Sequence, residues 1–166
     1  EIEIKKIFRK VCLGVKGMHD RSIAHLDIKP ENILLDYSDN PFICDFGSSQ
    51  LFEGIKRSNS PKGSKVLVRG LGKKGTTMYC SPESLRSPQE YDPFKSDIFS
   101  LGVTLHVILT GHYPYGNEFG NIPTLEMSFI PSQACYELLE AMLEVNVSKR
   151  LNINKVLLHP WFKNNS

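Results

Sequence analysis

His25-Leu26-Asp27-Ile28-Lys29-Pro30-Glu31-Asn32 and, a short apolar interval later, Cys44-Asp45-Phe46-Gly47 decide how the rest of this 166-residue chain is read. Phosphoryl transfer from a nucleotide asks little covalent chemistry of a protein. It needs a group to orient the attacking hydroxyl, oxygen ligands for the metal that holds the phosphates, and positive charge to offset the group in flight. Asp27 is a carboxylate suited to accept or orient a hydroxyl proton, and Lys29, two residues on, can reach a phosphate from the same side. Asn32 offers a neutral oxygen and Asp45 a charged one, both suited to a hard cation such as Mg²⁺. Each of these residues alone reads as ordinary loop polarity. Their order and separations are what make chance a poor explanation.

Working outward, Ile33-Leu34-Leu35 and Phe42-Ile43-Cys44 are short apolar runs with the turn-rich Asp36-Tyr37-Ser38-Asp39-Asn40-Pro41 between them, which predicts a small hairpin joining the two loops. Upstream, Ile4, Ile7, Phe8, Val11, Val15 and Met18 recur at helical spacing with basic residues between them, predicting an amphipathic helix over Ile2 to Asp20. Downstream, Glu53 to Lys74 loses all periodicity and is rich in Lys, Arg, Ser and Gly, which reads as a basic loop inserted between motifs that belong together. Asp97 to Leu109 is apolar nearly all round and is expected to be the buried centre of a helical domain, with Ser96 or Asp97 capping its start and Gly111 past its end. Ser132 to Val145 predicts another helix with Ala134, Leu138, Leu139, Met142 and Leu143 facing the core, and a last short helix ends near His159-Pro160-Trp161-Phe162.

Composition narrows the class. Apolar residues make up 40% and charged residues 23%, ordinary values for one soluble domain, and the net charge of +2 does not by itself point to nucleic acid or membrane. Cys12, Cys44, Cys80 and Cys135 form no C-x-x-C pair and no zinc spacing with the histidines, so reduced thiols in an intracellular, cytoplasmic protein are expected. No apolar run is long enough for a membrane span, and the chain opens directly in a helical pattern with neither an initiator Met nor a signal peptide, as if cut from something longer.

The whole pattern resembles the C-terminal lobe of a eukaryotic-type serine/threonine protein kinase. His25-Leu26-Asp27 through Asn32 is similar to the catalytic loop and Asp45-Phe46-Gly47 to the magnesium-binding motif. Gly75-Thr76-Thr77-Met78-Tyr79-Cys80-Ser81-Pro82-Glu83 resembles the end of the activation segment, and Ser96-Asp97-Ile98-Phe99-Ser100-Leu101-Gly102 the start of the central buried helix. The resemblance implies a mainly α fold, α+β overall: a helical bundle around that central helix, with a small β-hairpin carrying the catalytic loop, 25–32, and the start of an activation segment, 45–83, whose basic insert is 53–74. It implies Asp27 as catalytic base, Lys29 on the γ-phosphate, and Asn32 and Asp45 as Mg²⁺ ligands. Leu34 would lie under the adenine, Glu31 would approach the ribose, Cys44 would line the nucleotide pocket, and Thr76 would help position the substrate hydroxyl. His25, Phe46 and Gly47 take structural places, Asp97 braces the catalytic loop backbone, and Arg150 pairs with Glu83. The cofactors implied are ATP and Mg²⁺, and the partner a protein bearing Ser or Thr. Lys29 in this loop is similar to the Ser/Thr-specific form, and Gly111-x-x-Pro114-Tyr115 with the His159-to-Phe162 ending is most like the calmodulin-dependent group.

Departures shape three further expectations. Leu26 stands where the family usually has the Arg that pairs with an activation-segment phosphate, so control by such a phosphate is not expected. Residues 56–74 could dock an acidic partner. A solvated loop is the simpler reading, and nucleic acid is disfavoured because no aromatic residues are interleaved for stacking. No Gly-rich loop and no strand Lys precede the first helix, so the N-terminal lobe is absent from these residues. The chain alone is then expected to transfer phosphate poorly and to expose apolar surface. The rival class is a kinase-like binding or scaffold module without catalysis. A small-molecule phosphotransferase is disfavoured by Ser81-Pro82-Glu83 and Arg150.

Overall fold

Helix α1 spans Ile2–Asp20, where the periodicity places it, and turns Phe8, Val11, Cys12, Val15 and His19 inward while Lys6, Arg9 and Lys10 stay in solvent. The computed structural model describes residues 1–52, 68–69, 72, 74–88, 90–115, 125 and 130–163. The basic stretch 53–74 therefore lies almost wholly outside the described residues, and with it the acidic-partner reading of 56–74.

After α1 the chain forms β1 (Ile23–Ala24), the 25–32 loop closing in a 3₁₀ turn at Pro30–Asn32, then β2 (Ile33–Leu35) and β3 (Pro41–Ile43). The predicted hairpin is present: β2 and β3 pair antiparallel with Ile33 opposite Ile43, Leu34 opposite Phe42 and Leu35 opposite Pro41. Alternation along the strands sends Ile33 and Ile43 against the main core, while Leu34 and Phe42 stay more than half exposed. A tight Asx turn closes the hairpin, Asp36 Oδ1 accepting from the Ser38 and Asn40 amides, each at 2.8 Å. Two more antiparallel pairs lie beyond what periodicity could show. β4 (Gln50–Leu51) returns beside β1, and β5 (Val68–Arg69) pairs with β6 (Glu90–Tyr91). The β1–β4 pair matters for the site, because it brings the segment after Gly47 back beside the segment before His25.

Helix α2 (Pro82–Arg86) leads through β6 into α3 (Pro93–Thr110), in which every residue from Ser96 to His106 is buried. The start of α3 corrects the sequence reading. Asp92, not Ser96 or Asp97, is the cap, its Oδ1 accepting from the amides of Phe94 at 3.0 Å and Lys95 at 3.1 Å. Pro93 occupies the first helical position, where a missing N–H costs nothing. Asp97 is thereby moved inside the helix with its carboxylate free for another task. The end is as expected, with Gly111 in the left-handed region (φ 75°) and its amide donating to Val107.

Helix α4 runs Gln133–Met142, capped by Ser132 Oγ, and stops three residues short of the predicted Val145. The Glu144 carbonyl is claimed by Arg150 Nε at 2.8 Å and the Asn146 amide by Glu144 Oε1, so the chain turns there. α3 and α4 meet at Gly102, where a Cβ would sit 3.0 Å from Leu143 Cγ. Helix α5 (Ile153–Leu157) and a 3₁₀ turn at Pro160–Phe162 close the core, with the fully buried Trp161 edge-on to Phe8. Trp161 Nε1 donates to Glu1 Oε1 at 2.6 Å. The core joining α1, α3, α4 and α5 contains Phe8, Val15, Leu101, Leu105, Leu138, Met142, Val156 and Trp161. Burial of side chains of this size, at about 1.5–3 kcal/mol each before conformational entropy is charged, is what makes α3 the fixed axis on which the loops are hung. Among the described residues no helix is long and apolar enough to cross a membrane.

Candidate active site

Asp97 is where α3 takes hold of the 25–32 loop. Its Oδ2 accepts from the His25 amide at 2.9 Å, its Oδ1 from the Leu26 amide at 2.8 Å, and His19 Nε2, at the end of α1, lies 2.8 Å from Oδ2. Asp97 and His19 are both buried, so an acceptor-only carboxylate satisfies three donors that water cannot reach. Sequence reasoning found Asp97 but missed His19, whose partner lies 78 residues away. The only signal it offered was a polar residue on the apolar face of α1.

The loop so held arrays Asp27, Lys29, Asn32 and Thr76 in one cluster. Thr76 donates its amide to Asp27 Oδ1 at 2.7 Å, Lys29 Nζ lies 3.1 Å from Asp27 Oδ2, and the same ammonium donates to Thr76 Oγ1 at 2.7 Å. Asn32 Nδ2 donates to the Asp27 carbonyl at 2.8 Å and to its Oδ2 at 3.3 Å. Burial alone would raise the Asp27 pKa. The hydrogen bonds from Thr76 and Lys29 outweigh it and hold the carboxyl below its usual range, so Asp27 is ionised at neutral pH. Thr76 is set in place by its neighbour Gly75, which has φ 78° and lies so close to the loop that a Cβ would fall 2.2 Å from the Leu26 carbonyl oxygen.

Asp45 reaches this cluster through the backbone. The residue before it, Cys44, donates its amide to the Asn32 carbonyl at 2.9 Å and gives its own carbonyl to His25 Nε2 at 3.0 Å. Both ends of the Cys44 peptide are thus tied to the 25–32 loop, and Asp45 leaves it in the left-handed region (φ 59°) with Oδ1 accepting from the Gly47 amide at 3.2 Å. Phe46 tilts against the His25 ring at 5.2 Å and is half exposed. A Mg²⁺ ion fits the chemistry of this donor set. The Asn32 amide nitrogen is committed to Asp27, which leaves its oxygen for a cation, and Asp45 has a second carboxylate oxygen not taken by Gly47. Among the described residues no three His, Cys, Asp or Glu side chains gather into a group that could hold a metal ion. Leu34 lies on the exposed face of the hairpin and Glu31 in the 3₁₀ turn, exposed, on either side of Asn32.

Farther from this cluster, Arg150 and Glu83 form a bidentate pair, Nη1 to Oε1 at 2.6 Å and Nη2 to Oε2 at 2.9 Å. The guanidinium is buried, lies 4.9 Å from the Phe99 ring centre and donates to the Lys95 carbonyl. It joins α2 to the start of α3 and to the turn before α5. Glu83→Gln leaves this charge without its counter-ion. We expect a loss of about 2 kcal/mol, below the full cost of breaking a buried pair because Glu83 has some access to water, read as a lower urea midpoint at unchanged slope.

These features converge on one family. The protein kinase domain model matches residues 1–162. The chain belongs to the protein kinase domain family. Rice serine/threonine-protein kinase SAPK7 is 35% identical over 181 residues, covering 99% of this chain and 46% of its own length. Serine/threonine-protein kinase SRK2G of Arabidopsis thaliana is 36% identical over 182 residues, covering 99% of this chain and 47% of its own length. Serine/threonine-protein kinase chk1 of Schizosaccharomyces pombe is 32% identical over 169 residues, covering 93% of this chain and 31% of its own. The chain thus spans about half the length of the first two and a third of the last.

Within this kinase domain the position of Leu26 acquires a structural account. It has φ 67° and is buried with Ala24, Phe52, Tyr91 and Phe94 in a small apolar cluster of its own. Tyr91 belongs to β6, the partner of β5, so apolar packing joins the kinase loop to the strand pair beside it. No cation is offered at residue 26 for a phosphate to meet.

Proposed function

We propose that residues 1–166 are the C-terminal lobe of a serine/threonine protein kinase, which transfers the γ-phosphate of Mg-ATP to a Ser or Thr hydroxyl of a protein. The observation that carries this reading is the hydrogen-bonded cluster of Asp27, Lys29 and Thr76, with Asn32 locked onto Asp27. Bound Mg-ATP supplies the phosphoryl group, with its charge partly neutralised. The residues of this chain do the positioning. Asp27, held ionised, accepts a hydrogen bond from the incoming hydroxyl and takes its proton as the oxygen–phosphorus bond forms and the bond from the γ-phosphorus to the bridging oxygen breaks, ADP leaving with that oxygen. Thr76 fixes Asp27 Oδ1, while Oδ2 stands between the Lys29 ammonium and Asn32 Nδ2. Lys29 offsets negative charge on the transferred group, and its bond to Thr76 sets where the ammonium stands. Asn32 and Asp45 present one neutral and one charged oxygen to the metal, Leu34 the apolar floor for the base, Glu31 and Cys44 the flanks of the nucleotide pocket, and Phe46 the packing against His25.

In the family the α- and β-phosphates are held by a Gly-rich loop and a strand Lys that come before the segment matched here. The activity proposed is that of a two-lobed kinase, in which such a lobe completes the site. The exposed pair Leu34 and Phe42 supports this. The same exposed pair also favours the second reading, a module that binds a partner without catalysis.

Fusing residues 1–166 behind the part of rice SAPK7 that precedes its matched segment separates the two. The kinase reading expects little transfer by 1–166 alone, and phosphoserine and phosphothreonine on a general protein substrate from the fusion, dependent on Mg²⁺. A folded fusion that binds Mg-ATP and transfers nothing would favour the scaffold.

A further inference from the structure

The Gly75 bend is what brings Thr76 onto Asp27 and Lys29, and one thiol reaches both of its sides. Cys80 Sγ lies 3.2 Å from the Lys74 carbonyl oxygen and 3.4 Å from that of Thr76, the two carbonyls flanking Gly75. Cys80 is half-buried and follows the 3₁₀ turn Thr77–Tyr79, which is itself anchored on α3 by Ser100 Oγ donating to the Tyr79 carbonyl at 2.8 Å. The Thr76 carbonyl also accepts the Tyr79 amide at 2.9 Å, so the thiol is its second donor. The Lys74 carbonyl lies on the far side of the bend, outside that turn. A left-handed glycine pressed against a neighbouring carbonyl has no side chain with which to hold its own conformation. A donor that spans it from the anchored side supplies that hold.

We propose that Cys80 is a positioning residue: its thiol ties together the carbonyls on both sides of Gly75 and so holds Thr76 in hydrogen-bonding register with Asp27 and Lys29. The catalytic importance of that register rests on the kinase reading; the register itself does not. S–H···O bonds are weak, and one thiol proton shared between two carbonyls biases the population of the bent form by several-fold rather than by orders of magnitude. A small residue with a hydroxyl would do the same work, and one with neither hydroxyl nor thiol would not.

The test is amide hydrogen exchange by NMR on the full 166-residue chain, following the Thr76 amide against those of Leu101 to Leu105 in α3 as an internal standard for global stability. Cys80→Ala and Cys80→Val both remove the donor, the second keeping apolar bulk should the first loosen the fold. Cys80→Ser keeps it. We expect Thr76 exchange to quicken by about fivefold in the Ala and Val variants with α3 unchanged, and to return to within about twofold of the parent in the Ser variant. Thr76 exchange that is unchanged in Ala and Val overturns the proposal. So does a Ser variant as fast as Ala, because the role would then be one of size. A protein that shows the expected exchange pattern but transfers no phosphate in the fusion assay removes the kinase reading and leaves this result standing.

Discussion

In a fusion carrying both lobes, Asp27→Asn lowers kcat by about 10²–10⁴-fold while KM for ATP changes by no more than a few-fold, the range expected when a positioned general base is removed. The asymmetry follows from the geometry. Asn retains an oxygen to accept the Thr76 amide, now bonded to Asp27 Oδ1 at 2.7 Å, so the loop keeps its shape. What it loses is the charge on the second carboxylate oxygen, which lies 3.1 Å from the Lys29 ammonium and 3.3 Å from Asn32 Nδ2 and which takes the proton on the kinase reading. Steady-state kinetics at saturating and limiting ATP separate the two parameters. The pH profile carries a second signature. The Asp27 carboxyl is held below the usual carboxylate range, its burial being outweighed by Thr76 and Lys29, so the base is ionised throughout that range and its limb of the profile falls only at still lower pH. A variant that kept kcat and lost ATP affinity would place Asp27 in binding rather than in proton transfer.

The largest effect on stability is expected from Asp97→Ala, at about 3–5 kcal/mol, since the change strands buried donors that had shared one carboxylate. Those donors are the His25 and Leu26 amides and the His19 ring, and neither side chain of the His19–Asp97 pair has access to water. Urea denaturation should show the lowered midpoint, and nucleotide binding should fall with it, because the loop carrying Asp27, Lys29 and Asn32 is fixed to α3 through residues 25 and 26. Asp97→Asn retains one acceptor and should cost less. A loss below about 1 kcal/mol for the Ala variant would mean that the loop is held by its apolar contacts through Ile28 and Leu26 rather than by this carboxylate.

Features that depend on local pattern were legible from the residues. The helix Ile2–Asp20 and the Ile33–Ile43 hairpin followed from periodicity and turn chemistry, and α3 from an apolar run with a Gly stop. The resemblance carried the pairing of Arg150 with Glu83, which no periodicity could place. What was misread was ambiguous locally. Asp92, Ser96 and Asp97 are all good helix caps, and only tertiary structure shows that Asp97 has another use. What was missed depends on distance in the sequence: His19 meeting Asp97, Gly75 meeting the Leu26 carbonyl, and two-residue strand pairs too short to show alternation.

The account depends on Asn32 and Asp45 serving a single cation beside Asp27. Paramagnetic broadening tests this on the fusion carrying both lobes, with Mn²⁺ standing for Mg²⁺ in the presence of excess ATP. The amide signals of Asn32, Asp45 and Gly47 should broaden first and together, and Asp45→Asn should abolish the effect. Broadening centred on the acidic hairpin turn at Asp36 and Asp39, with Asn32 and Asp45 left sharp, would contradict it.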